Sequence, residues 1–293
     1  MKIIQVEPED RQLKIKFLQC PKRIYSDNPY YAPPLEFNPL DVFNPRANPI
    51  FEHGDATFFV ALDEQGQAIG RIAAFRSDSY NQHNRLSAAM FTLFECSHDP
   101  EAAFGLLTAA VNWAKGQGLN LLIGPKGFTP LDGIGLLIQG FEYSPALGLP
   151  YNPPYYQDLL EKFGFSKRSD ILSGFLPMGI TLPEKVHRAA ALAREKHGFE
   201  VVTFKNRSEV KRFVPRLMEL YNQALEGAPD NAPLSDKEAR MMSAQLVWFA
   251  DPRLIKVILK DGQPAGFLLA YPDVTETAKR IGGRLLPFGW LRI

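Results

Sequence analysis

Apolar residues fall into strand-length runs and helical stripes, and the period changes at clusters of Gly, Pro and Asn. Ile3 to Val6 predicts a short strand. Leu13, Phe17 and Leu18 mark a helix that Pro21, with no N–H, is expected to interrupt. Residues 26–55, with DNPYYAPPLEFNP and FNPRANP, predict extended loop. TFFVALD and AIGRIAAF, joined at EQGQ, form a hairpin pattern, and Ala88 to Glu95 is a third strand. Asp99 to Lys115 is the best-marked helix, with Asp99 as N-cap, Pro100 at the first helical position and Glu101 in the first turn. Phe104, Leu107, Val111 and Ala114 are its predicted apolar face, Gly116 or Gly118 stops it, and LNLLIG is the next strand. A further helix runs from about Pro153 to Phe163, burying Tyr156, Leu159, Leu160 and Phe163 and ending at Gly164.

Around residues 178–199 the pattern changes. MGITLPE is a connector, and an alanine-rich helix from Val186 to Lys196 ends at Gly198. The opening pattern then returns. Val201 to Phe204 is a strand, and Ser208 caps a helix with Val210, Phe213, Val214, Leu217 and Tyr221 on one face. Ser235 and Glu238 form a capping box ahead of a helix bearing Met242, Leu246 and Phe249. LIKVILKDGQPAGFLLAY is a second hairpin. Gly70 and Gly266, Ala74 and Ala270, Tyr25 and Tyr221, and Ala32-Pro33 and Ala228-Pro229 all stand at one constant offset. The spacing predicts tandem domains of one fold, residues 1–180 and 181–293.

A length of 293 residues also favours two domains. Lys plus Arg number 33 against 32 acidic residues, and no basic run occurs, so nucleic acid is not an expected partner. With only Cys20 and Cys96, neither in a CxxC nor near His at ligand spacing, neither a disulfide framework nor a metal is expected. The start, MKIIQVEPEDR, lacks a signal-peptide core, and the apolar stretch Leu254 to Tyr271 carries Lys256, Lys260 and Asp261. The expected setting is cytoplasmic, without a membrane partner.

The strings FLQCPKRIYSDNPYYAPPL, NPIFEHGDATFFVA, GRIAAF, FTLFECSHDPEAA and GLPYNPPYYQDLLEKFGF resemble a set of bacterial GNAT-like proteins. The element order also resembles that of the GNAT acyltransferase superfamily. This resemblance implies an α/β fold with a mixed sheet, α+β in detail: a GNAT-like N-terminal domain and an incomplete second one. It implies transfer of an acyl group, most simply acetyl, from acetyl-CoA or another acyl-CoA to a small-molecule or peptide amine. Two departures matter. The superfamily's pyrophosphate signature, Gln or Arg, two residues, Gly, one residue, then Gly or Ala, is replaced by Glu95-Cys96-Ser97-His98-Asp99-Pro100-Glu101. Two like charges ~5 Å apart repel by roughly 3 kcal/mol at an effective dielectric of ~20, whereas a helix dipole offers an anion only ~0.3–1 kcal/mol. The N-terminal domain is therefore expected not to bind CoA in the usual way. The second domain stops before the corresponding segment, so a cofactor site is expected beyond Ile293.

Acyl transfer requires a neutral amine and a proton acceptor. Glu95, at the end of its strand, is the candidate catalytic base, against the simpler reading of a solvated strand-end residue. The superfamily's acid Tyr, four positions before the Gly, corresponds to Leu160, which leaves that role vacant. Tyr155, Tyr151 and Asn152 are the candidate substrate-binding group. Tyr156 joins them, although its spacing favours packing with the hydroxyl on a rim partner. Gly133-Ile134-Gly135, with Pro130 where Gln or Arg would be needed, is a turn pattern. The alternative function is a non-catalytic GNAT-like scaffold for a small ligand or protein. An aminoacyl-tRNA-dependent transferase is disfavoured by the near-neutral charge.

Overall fold

A computed structural model describes residues 1–129, 132–146, 148–177, 179–226, 230–249 and 251–292, except the side chains of 242, 245–249 and 292. The chain divides into two compact units, Met1–Arg168 with Asp273–Ile293, and Ser169–Pro272.

In the first unit, β1 (Lys2–Gln5), β2 (Gly54–Leu62), β3 (Ala68–Ser77), β4 (Ala88–Cys96) and β5 (Leu121–Ile123) form one sheet in that order. The first four strands are antiparallel to their neighbours, and β5 is parallel to β4. The helices are α1 (Arg11–Ile24), α2 (Asp78–Asn84), α3 (Pro100–Gly116) and α4 (Tyr156–Phe163). The runs in β2 and β3 are apolar at successive positions because both sheet faces are covered. Phe59, Ala61, Ile72 and Ala74 pack with α3 and α4, whereas Phe58, Val60, Leu62 and Ala73 pack with Phe17 and Cys20 of α1.

Asp99 caps α3 as expected, and Gly164 ends α4 in the left-handed region. The buried face of α3 differs from the predicted stripe: Ala102, Ala103, Leu106, Leu107, Ala110 and Ala114 are buried, while Phe104 and Val111 sit at its margin. The four alanines let the helix approach the sheet, Leu106 and Leu107 fill the space beside them, and the Phe104 ring lies to the side. Pro21 does not interrupt α1, which continues to Ile24. The missing N–H leaves the Phe17 carbonyl without its helical partner. Arg71 Nη1 donates to it instead, at 3.3 Å. The loop expected over 26–55 holds two short 3-10 turns, Pro39–Phe43 and Pro49–Glu52, each capped by the preceding Asn.

In the second unit, α5 (Glu184–Lys196) precedes β6 (Phe199–Thr203), α6 (Arg207–Ala224), α7 (Asp236–Phe249), β7 (Lys256–Lys260) and β8 (Gln263–Leu268). The three strands form an antiparallel sheet in sequence order. As in the first unit, the opening strand pairs with the first arm of a hairpin. Asn206, rather than Ser208, caps α6, accepting from the Glu209 N–H at 3.0 Å. The capping box is formed: Ser235 Oγ accepts from Glu238 N at 3.2 Å, and Glu238 Oε2 accepts from Ser235 N at 2.8 Å. The expected face of α7 at Met242, Leu246 and Phe249, the Ala228-Pro229 pair and Pro130 lie outside the described residues and side chains.

The segment 273–293, read with the second domain in the sequence, clusters with the first unit. It contains α8 (Thr275–Ile281) and then exchanges main-chain bonds with Glu36: Glu36 N to Gly283 O at 2.9 Å, and Leu285 N to Glu36 O at 3.1 Å.

Candidate functional site

The site begins with a parity change in β4. Arg71 and Ala73 of β3 lie opposite Glu95 and Thr92, so Ile72 faces both Leu93 and Phe94 across a bulge. Leu93 takes up the extra residue at φ 52°. Without that insertion, Glu95 would share the α3 face with Phe91, because side chains alternate along a strand. With it, Glu95 turns to the α1 face beside Arg71. β4 also parts from β5 early: their pairing covers only Ala88–Met90 against Leu121–Ile123, and Cys96 lies well beyond it.

Four elements converge on Glu95. Tyr25, at the C-cap of α1, donates to Glu95 Oε2 at 2.8 Å, and Tyr156 of α4 donates to the same oxygen at 2.8 Å. Arg71 Nη2 stands 3.9 Å from Oε1, and its guanidinium lies 5.1 Å from the centroid of the Phe17 ring. The Glu95 side chain is 12% exposed, which overturns the solvated strand-end reading. Two unit charges at this separation attract by roughly 4 kcal/mol at an effective dielectric of about 20. Removing each ion from water also costs several kcal/mol. Desolvation dominates here: burial raises the Glu95 pKa above the ordinary carboxylate value, partly offset by Arg71 and the Tyr156 and Tyr25 hydroxyls. Burial likewise raises the Tyr25 and Tyr156 hydroxyls, with the Glu95 charge adding to it, so both remain protonated donors.

Tyr156 is 1% exposed, and its hydroxyl also accepts the Cys96 N–H at 2.7 Å. It is both a packing residue and a hinge of the polar network. Tyr155 donates to the Cys96 carbonyl at 2.8 Å and stacks on His98, with centroids 4.5 Å apart. Both main-chain groups of Cys96 are thus held by hydroxyls of Tyr156 and of Tyr155, the residue just before α4. Tyr155 lines a pocket of about 350 Å³ with Arg23, Ile24, Ile69, Ser97 and His98. Tyr151 and Asn152 do not line it. Tyr151 belongs instead to the aromatic wall about Tyr25, 6.3 Å away, and donates to Phe141 O at 2.8 Å. Asn152 is 5% exposed, and its amide is engaged with the main chain of Leu137 and Pro153, tying these loop segments together.

Sequence reasoning missed Tyr25, Arg71 and Tyr31. Tyr31 stacks flat on Tyr25, with centroids 3.8 Å apart and planes inclined by 3°. A signal existed for Arg71: a lone cation in the apolar strand AIGRIAAF requires a buried carboxylate nearby. No such signal marked the tyrosines: Tyr31 lies in PYYAPPL, which reads as loop, and Tyr25 follows Pro21, where the helix is expected to break.

The residues at the start of α3 do not fit a diphosphate. Pro100 has no N–H, Asp99 Oδ1 accepts from Glu101 N at 3.0 Å and Ala102 N at 3.2 Å, and Asp99 O accepts from Ala103 N. The donors that make a helix N-terminus an anion site are all absent or engaged. Among the described residues, no group of three or more His, Cys, Asp or Glu could hold a metal.

No family profile matches the sequence. It is 27% identical over 283 residues to the bacterial ceramide synthase of Caulobacter vibrioides, covering 95% of this chain and 72% of that one. It is 26% identical over 278 residues to protein YghO of Escherichia coli, covering 94% and 70%. Among solved structures, a GNAT-family acetyltransferase of Staphylococcus aureus Mu50 aligns with a TM-score of 0.28 and 17% identity, over 42% of this chain and 72% of that one. The glucosamine N-acetyltransferase region of a fungal multi-domain GH3 β-N-acetylglucosaminidase aligns at 0.43 and 13%, over 91% of this chain and 27% of that one. The chain has a mixed α/β fold, with four antiparallel strands, a crossover helix and a fifth strand parallel to the fourth.

Proposed function

We propose that this chain forms the acceptor-binding part of an acyl-CoA-dependent N-acyltransferase that acts on a long-chain amine. The observation that carries the reading is Glu95, a shielded carboxyl of raised proton affinity that receives two tyrosyl hydrogen bonds. An acceptor ammonium must lose a proton before its nitrogen can attack an acyl carbonyl, and the new amide loses a second. Glu95 is the acceptor for such a proton. Tyr25 and Tyr156 can pass one on, each phenol giving its proton to Oε2 as its oxygen takes another. Arg71 is the positioning residue, keeping the carboxyl ionisable despite its burial.

Similarity over nearly the whole chain to a protein named ceramide synthase supports a fatty acyl group and a long-chain amino alcohol as the substrate classes, rather than the acetyl group expected from sequence. The engaged donors at α3 support a division of labour in which the first of two related domains shapes the acceptor site and the second holds CoA. They also favour a second reading, a GNAT-like scaffold without catalysis.

The test is thiol release from acetyl- and long-chain acyl-CoA with and without a long-chain amino alcohol. Glu95→Gln should lower kcat/KM by about 10²–10⁴. Turnover unchanged in Glu95→Gln removes the assigned base. The absence of amine-dependent turnover favours the scaffold.

A further inference from the structure

The chain after α8 returns to the first unit and is fixed there on one side. Leu285 is fully buried, the Glu36 main chain brackets it, and Gly283 packs so closely on Pro34 that an added Cβ would lie 2.3 Å from the Pro34 carbonyl oxygen. On the other side the segment turns large apolar groups to solvent: Leu286, Phe288, Trp290 and Leu291 are 54%, 71%, 47% and 64% exposed. They are not fraying. The Trp290 N–H bonds to Leu285 O at 2.9 Å and its indole N–H to Pro287 O at 3.2 Å.

Within the segment that carries this patch, the charge has one sign. Residues 277–292 contain no acidic side chain, and Arg280 and Arg284 are exposed at its edge without an acidic partner among the described residues. Exposed aromatic and aliphatic groups beside Arg suit the interface of an anionic bilayer, where rings enter the headgroup layer and cations meet lipid phosphates. A second copy is a poorer occupant, since an isologous contact would bring these arginines against their own equivalents. The apolar stretch at Leu254 to Tyr271 excluded a spanning helix, and no described helix is long and apolar enough to cross a membrane. Neither observation bears on a peripheral contact.

We propose that the surface formed by Leu286, Phe288, Trp290 and Leu291, flanked by Arg280 and Arg284, docks on anionic membranes. The inference does not depend on the assignment of Glu95, because vesicle binding needs no turnover.

The full chain would be sedimented with phosphatidylcholine vesicles with or without one-quarter phosphatidylglycerol. Tryptophan quenching by brominated acyl chains would be followed in parallel. The wild type should partition at least fivefold better onto the anionic vesicles, and the gain should shrink at high salt. Phe288→Ser with Trp290→Ser should abolish partitioning and quenching while leaving the circular dichroism spectrum and melting temperature in place. Arg280→Gln with Arg284→Gln should remove the preference for anionic lipid. Failure of the wild type to bind, equal binding by the Phe288/Trp290 variant, or a lipid-free dimer that shields Trp290 would overturn the assignment.

Discussion

At the scale of single residues, the Tyr156 hydroxyl is the most consequential atom of the network. It bridges a buried main-chain N–H and a buried carboxylate, at 2.7 and 2.8 Å. Tyr156→Phe keeps the ring and orphans the Cys96 N–H, at a cost of about 1–3 kcal/mol. Tyr25→Phe frees only the Tyr151 carbonyl, a longer contact at 3.2 Å, rather than a buried N–H, and should cost less. Urea midpoints of the two variants test that order. Glu95 makes stability depend on pH. With a raised folded pKa, the native state keeps a proton that the unfolded chain has lost above about pH 4.3. That contribution is complete below the unfolded value and declines as pH climbs through the folded one. Glu95→Gln cannot lose the proton, so wild-type stability relative to the variant should fall across this window in pH-dependent denaturation. A flat difference from pH 4 to 8 would mean that Glu95 titrates normally.

At the scale of elements, α3 and α1 carry compensations that their own sequences only half announce. Asp99 caps α3 so completely that the helix start has no donor left for a phosphate. Charge repulsion from the neighbouring carboxylates acts in the same direction, but the engaged hydrogen bonds are the more direct cause. Asp99→Ala should destabilise the protein by about 1 kcal/mol, within 0.5–2, as measured by the thermal midpoint. In α1, the proline expected to end the helix instead frees a carbonyl for Arg71. A local rule was overridden by a side chain from a distant strand, which is why Pro21 misled the reading.

At the scale of the whole molecule, the two units are joined in sequence by a segment that carries no helix or strand and buries little. Leu172 and Phe175 within it are 93% and 91% exposed. Exposed apolar backbone without regular hydrogen bonds is where proteases act first. Limited chymotrypsin digestion should therefore cut within 171–176 before any site in β2–β4, as read by mass spectrometry. Initial cuts in the sheet strands would contradict the division. The repeated strand, helix and hairpin in each unit keep the tandem reading a live proposal. The return of 273–293 to the first unit was not foreseen, since its pairing with Glu36 spans most of the chain.

The sequence by itself determined what depends on neighbours in the chain: the hairpins, the Asp99 and Gly164 caps, and the Ser235–Glu238 box. It also named Glu95 as a candidate base and gave Tyr156 a packing ring with its hydroxyl on a polar partner, the contacts it makes. Only the tertiary structure decided that Glu95 faces Arg71, that Tyr25 joins it, and that Asn152 ties loop segments together. Those outcomes turn on a one-residue bulge in β4 and on contacts between residues far apart in sequence. Periodicity records which positions are apolar, but it carries no record of which distant polar group meets them.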